Sequence, residues 1–183
     1  MTKKLTTTAI LFALGSVLSM IPLFSAPFGG TVTPGSMVPI LMIGLLYGPA
    51  WAIGSAFVYG ILQLLLSGGA YVPPTPDFWS YAAVIGLDYL IAFAVLGLSS
   101  LFFPRFGRTR GNLMVACGIP VFLRFLCHLA SGILIWKVYA PEGQSPFYYS
   151  LTYNGGYMLP ELVITLVLVF ALSGWILKQT KSA

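Results

Sequence analysis

Residues 36–67 read SMVPILMIGLLYGPAWAIGSAFVYGILQLLLS and contain no Asp, Glu, Lys or Arg. The charge-free run is wider than this stretch, extending from Lys4 to Asp77. Soluble domains carry roughly 25% charged residues. This chain carries 7%, with 58% hydrophobic residues and a mean hydropathy of +0.92. A helical span of the hydrocarbon core takes about 20 apolar residues, so the run predicts about three spans and the remainder of the chain about three more. The expected fold is all-α, an integral membrane six-transmembrane-helix bundle. It forms one domain over 1–183 with no soluble nucleotide-binding domain beside it.

Working outward from that stretch, Gly48-Pro49 divides it into a short helix at 36–47 and a longer one ending near Ser67. The other spans are expected at about 5–24, 78–103, 112–137 and 153–177. Between them lie Gly/Pro-rich connections at 25–35, 68–77 and 138–152. Pro73-Pro74 cannot continue a helix, because each proline lacks an N–H and clashes with the preceding turn. Lys3-Lys4 before an apolar run resembles a signal peptide, but Phe24 and Pro27 around Ala26 spoil the small-residue cleavage pattern. A retained first helix is expected.

The net charge of +5 could suggest a nucleic-acid partner, but its placement argues against one. Lys3, Lys4, Arg105, Arg108, Arg110, Lys178 and Lys181 all fall on one side of a six-span chain. Lys and Arg are retained in cytoplasmic loops, so the expectation is a multi-pass cell-membrane protein with both termini cytoplasmic. The three Gly/Pro-rich connections then lie together outside, where function is expected. Cys117 and Cys127 are too few for a disulfide framework and read as small buried hydrophobes.

Four ionisable residues, Asp88, Arg124, His128 and Glu161, interrupt the apolar spans. A charge at mid-membrane costs at least about 2.5–3.5 kcal/mol, so such groups face a protein interior or a wet cavity. Arg124, His128, Gly132 and Trp136 recur every fourth residue and share one helix face. Tyr149, Tyr153, Asn154 and Tyr157 stand above Glu161 in the last span. Two acids against one fixed base suit a small organic cation, with Asp88, His128 and Trp136 offering charge pairing, hydrogen bonding and cation–π contact. The alternative is a polar clasp in which Arg124 pairs with Asp88 or Glu161, and Trp51, Trp79 and Trp175 form an interfacial belt. The chain has one His, no HExxH and no Gly-rich phosphate loop with a Lys, so no enzyme activity, metal or cofactor is expected. In the first span, Ala9 and Ala13 are small residues four apart, a spacing that lets another helix approach closely.

The run from His128 through Trp136 and Tyr139 to Gly143, and then Tyr149 to Gly155, resembles the thiamine-specific substrate-binding subunits (S components) of energy-coupling factor (ECF) transporters, the ThiT family. Leu87-Asp88-Tyr89-Leu90 and Gly35-Ser36-Met37-Val38-Pro39-Ile40 are similar to that family's motifs in helices four and two. The resemblance implies a bundle that captures thiamine from outside. It would deliver the vitamin through an ECF transmembrane coupling subunit and two cytoplasmic ATPase subunits. It implies Asp88, Tyr89, His128, Trp136, Tyr149 and Asn154 as ligand residues, with Asp88 facing the thiazolium, and Ala9 and Ala13 as the docking surface. Arg124 and Glu161 are candidates to join the ligand set. Relative to the better-known members, Asp88 stands for Glu, Phe28 for a Trp in the first external loop, and Glu161 is additional. The alternatives are a thiamine precursor or another small aromatic vitamin as ligand, or a membrane assembly protein without transport.

Overall fold

A computed structural model describes residues 1–180. Lys181 and the side chain of Arg105, both in the expected basic set, lie outside the described residues. Among the described residues six long helical segments are present: α1 (Thr2–Ser19), α2 (Met37–Leu46), α3 (Pro49–Leu66), α4 (78–106), α5 (Arg110–Leu134) and α6 (Pro146–Gln179). Of these, α3, α4, α5 and α6 are long and apolar enough to cross a membrane.

The second helix is the exception in length and the centre in position. Its ten residues rise about 15 Å, half of the ~30 Å hydrocarbon core. Met37 through Leu45 are nevertheless all buried. A helix apolar all round is stable only when covered all round, and here α1, α3, α4 and α6 cover it. The remaining height is supplied by an antiparallel hairpin, β1 (Phe24–Ser25) and β2 (Thr31–Val32), which begins inside the expected first span of 5–24 because α1 ends at Ser19. Its turn uses Gly29 and Gly30 at φ 91° and 86°, a left-handed conformation that glycine adopts without strain.

α4 is continuous but not uniformly α-helical. A π-helical stretch, Ile85–Leu90, carries Asp88, and a 3-10 stretch, Val95–Leu98, follows after one α turn. α6 begins at Pro146, seven residues before the expected 153. Ser145 caps it, its hydroxyl accepting from the Tyr148 N–H, and proline at the first position loses no helical bond. Tyr149 and Tyr153 are thus fixed to a helix. α5 ends at Leu134, three residues early, and a 3-10 turn (Trp136–Tyr139) follows.

Met1, Lys3, Lys4, Tyr47 and Gln179 border one depression, so the N-terminus, the α2–α3 turn and the end of α6 share one end of the bundle. Trp51 ties that end together, donating to Thr8 Oγ1 at 3.0 Å beneath the Lys4 ammonium, 4.6 Å from its ring centre. It is therefore a helix-to-helix link, whereas Trp79 and Trp175 are exposed as belt residues would be. Cys117 is buried, Cys127 partly so, and both are free.

Helix approach in lipid relies on small residues rather than on exclusion of water. Gly97 of α4 illustrates this, since a Cβ there would lie 2.6 Å from the Ile53 backbone of α3. Overpacking of this kind costs about 1–3 kcal/mol. Gly97→Ala is expected to lower the thermal midpoint of the purified protein in detergent, while Gly54→Ala, at an open position, leaves it unchanged. Equal midpoints for both variants would refute the close approach.

Candidate functional site

Asp88 sits where the π-helical stretch of α4 faces α5. Its Oδ1 lies 3.1 Å from His128 Nδ1, and its Oδ2 accepts from Ser131 Oγ at 2.7 Å and from Trp136 Nε1 at 3.5 Å. Trp136 Nε1 also donates to Ser131 Oγ at 3.2 Å. Its place past the end of α5 therefore still brings it to the carboxylate. Ser131 had no signal in the sequence, being a serine in a helix. It is now the shortest of the polar contacts to Asp88.

A cavity of about 420 Å³ opens beside this cluster, and every residue expected in the ligand set reaches it. Asp88, Tyr89, Arg124, His128, Trp136 and Tyr149 all line it, as do Asn154 and Glu161. At the hairpin end the walls are rings. Phe28 stacks on Tyr139 at 4.6 Å between centroids, and Tyr139 stacks on Trp136 at 6.2 Å. Tyr149 and Tyr153 stack at 5.8 Å, and the Tyr153 ring lies 6.3 Å from Phe28. Tyr89 accepts from Ser67 Oγ at 3.3 Å, linking α4 to the end of α3. Asn154 lines the cavity but is bound within the protein. Its amide donates to the His128 carbonyl and to Ser150, and its Oδ1 accepts from Tyr157.

The expected clasp is corrected by the geometry. Arg124 pairs with neither Asp88 nor Glu161; Asp88 is met instead by His128, Ser131 and Trp136. The guanidinium instead lies 3.8 Å over the Phe93 ring, a stacking that favours arginine. Its Nε and Nη1 have no hydrogen-bond partner. Glu161 turns to the hairpin, its Oε1 accepting from the Thr33 backbone N–H and, at 2.7 Å, from the Thr33 hydroxyl. Its Oε2 has no partner.

One stripe of α6, spaced by four residues, holds the whole hairpin. The Tyr153 hydroxyl accepts from the Phe28 N–H at 2.9 Å and donates to the Gly29 carbonyl at 2.7 Å. The Tyr157 ring fills the space that a side chain at Gly30 would need. Glu161 binds Thr33. Besides Ser131, sequence reasoning missed the roles of Tyr153, Tyr157 and Thr33. The spacing of the two tyrosines and Glu161 was visible, but what it would hold was not.

On α1, Thr8 and Gly15 face the bundle, whereas Ala9 and Ala13 lie on the exposed side with Leu5, Ile10, Leu14 and Val17. The close approach their spacing permits is therefore not used within the chain.

The fold and site define a multi-pass membrane protein with a ring-lined cavity between its helices. A family model described as thiamine transporter protein matches residues 5–180, and the chain belongs to that family. It is 30% identical to the thiamine transporter ThiT of Bacillus subtilis, over 98% of this chain and 96% of that protein. It is 32% identical to the thiamine transporter ThiT of Lacticaseibacillus paracasei, over 88% of this chain and 82% of that one. A solved structure of ThiT from Listeria monocytogenes superposes with a TM-score of 0.73 at 22% identity, covering 97% and 96% of the two chains, and so shares the fold. These relatives are named as transporters, and the chain is accordingly a transport protein rather than an enzyme.

Tyr153→Phe removes both hydrogen bonds to the hairpin tip at once. Each is worth about 0.5–1.5 kcal/mol, so amide hydrogen exchange at Phe28 and Gly29 is expected to accelerate at least ~5-fold while α5 and α6 are unaffected. Unchanged exchange at the tip would show that the hairpin is held by other contacts.

Proposed function

We propose that this chain is the substrate-capture component of an ECF importer and binds thiamine between α4, α5, α6 and the hairpin. The observation that carries the reading is Asp88, a carboxylate held beside Trp136 at the edge of a ring-lined cavity. Thiamine presents a permanently charged thiazolium and a flat aminopyrimidine. Carboxylate and indole together recognise the first by charge and cation–π attraction, and the stacked rings recognise the second. About 420 Å³ lies within the range of sites that enclose small molecules, roughly 300–1,000 Å³.

The site residues are Asp88, Tyr89, His128, Trp136, Tyr149 and Asn154, with Arg124 and Glu161 on the wall farther from the hairpin tip. The three donors on Asp88 fix its orientation before a ligand arrives, which lowers the ordering cost of binding. The hairpin closes the cavity from the outer face, with both chain termini in the cytoplasm. Delivery then falls to a transmembrane coupling subunit and two cytoplasmic ATPase subunits. Ala9 and Ala13, small and exposed on α1, offer the coupling subunit a close helix–helix contact in lipid.

Asp88→Asn keeps the side chain's shape and removes its charge. Losing one partner of a buried charge pair costs about 2 kcal/mol or more, so calorimetric titration is expected to show thiamine binding weakened at least ~30-fold. An unaltered dissociation constant would exclude the charge pairing. For docking, Ala13→Trp is expected to abolish thiamine uptake by cells carrying the full transporter while the purified variant binds thiamine normally. Wild-type uptake would remove α1 from the interface.

A further inference from the structure

The chain's charges are divided between the two ends of the bundle. Its four acidic residues are Asp77, Asp88, Glu142 and Glu161. Asp77 caps the start of α4, Asp88 and Glu161 line the cavity, and Glu142 lies in the connection between α5 and α6. None of them stands at the opposite end, where α1 begins, α2 turns into α3, α4 passes to α5 and α6 finishes. Lys3, Lys4, Arg108, Arg110 and Lys178 all stand there. An end with basic side chains and no acidic one attracts anions.

One depression concentrates this charge. It encloses about 290 Å³, and Lys3, Lys4, Thr7, Leu46 and Tyr47 are among its walls. The Lys4 ammonium is drawn in over the Trp51 ring at 4.6 Å and the Tyr47 ring at 5.2 Å. Cation–π contact favours the charge on the ring side, but ring faces give the three N–H donors of an ammonium no oxygen to bond. Trp and Tyr collect at the level of the lipid headgroups, so Tyr47 and Trp51 set the depression at that level. Thr7 and Tyr47 add hydroxyls, and Leu46 gives an apolar edge. Two ammonium groups and an apolar edge at headgroup depth match a molecule that is anionic at one end and hydrocarbon at the other.

We propose that this depression binds the headgroup of an anionic phospholipid, with the phosphate between Lys3 and Lys4 and the acyl chains leaving past Leu46. A free phosphate would use the lysines and leave the apolar edge without a partner. A zwitterionic lipid would bring a further cation against the two ammonium groups. The bound lipid bridges α1, the α2–α3 turn and the end of α6, the three elements that border the depression. The site is separate from the ring-lined cavity, and it stands or falls independently of the thiamine reading.

The test measures dissociation constants of the purified full chain, in detergent at low salt, for dioctanoyl phosphatidylglycerol, dioctanoyl phosphatidylcholine and glycerol phosphate. Each lysine near an anionic lipid adds about five-fold to binding, so phosphatidylglycerol is expected to bind at least ~10-fold more tightly than either of the others. Lys3→Gln leaves the Lys4–Trp51 stack in place. It is expected to weaken phosphatidylglycerol about five-fold and to leave phosphatidylcholine unchanged. Arg110→Gln removes an equal charge at the same end but outside the depression, and is expected to change neither. Equal wild-type affinity for the two lipids, equal losses in the two variants, or glycerol phosphate binding as tightly as phosphatidylglycerol would each overturn the site. The wild-type comparison stands without either variant.

Discussion

A carboxylate placed inside a membrane bundle must be surrounded by donors or it will not stay charged, and the cavity wall around Asp88 is arranged by that requirement. His128 and Ser131 come from one face of α5, and Trp136 comes from the 3-10 turn beyond it. All three converge on a residue of α4 that sits in a π-helical stretch. A π turn shifts the register of a helix and often marks a functional position. These groups fix one wall of the cavity before any ligand is present, leaving the Asp88 side chain one-fifth exposed.

The opposite wall is set by a different constraint. A ten-residue α2 cannot reach across a membrane, so the chain between α1 and α2 must descend into the bundle in non-helical form. Such backbone is tolerated at depth only where it is buried in protein or lines a cavity. The hairpin satisfies its own polar groups by pairing β1 with β2 and by bonding to Tyr153 and Glu161. The element that covers the cavity is thus also the element whose backbone most needs the cavity's walls. Thr33 is 3% exposed and Glu161 likewise 3%, so the joint between hairpin and helix lies deep in the protein.

Much of this was legible from residues alone. The charge-free run from Lys4 to Asp77 gave the membrane class, and Gly48-Pro49 marked the turn between α2 and α3 where it occurs. Arg124, His128, Gly132 and Trp136 were read as one stripe, and all four line one cavity. What stayed hidden depended on partners distant in the chain. Glu161 looked like a clasp for Arg124 because opposite charges in hydrocarbon should pair, yet a backbone N–H 128 residues away supplied its partner. Tyr149 and Tyr153 lay at the edge of an expected loop because prolines and glycines crowd 141–146. Pro146 in fact starts α6, where a proline is tolerated best. Ser131 has no periodic or charge signature, and its importance follows only from the carboxylate it faces.

The central claim is that an oriented carboxylate among stacked rings selects a flat cation. The most direct measurement varies the ligand's charge and leaves the protein untouched. Purified wild-type chain is titrated, by tryptophan fluorescence, with thiamine and with a neutral analogue in which the thiazolium is replaced by an uncharged ring of the same shape. The account requires saturable binding of both, with the neutral analogue weaker by at least ~10-fold, the loss of about 1.4 kcal/mol of charge attraction. Equal affinity for the two, or a signal indifferent to thiamine, would contradict it.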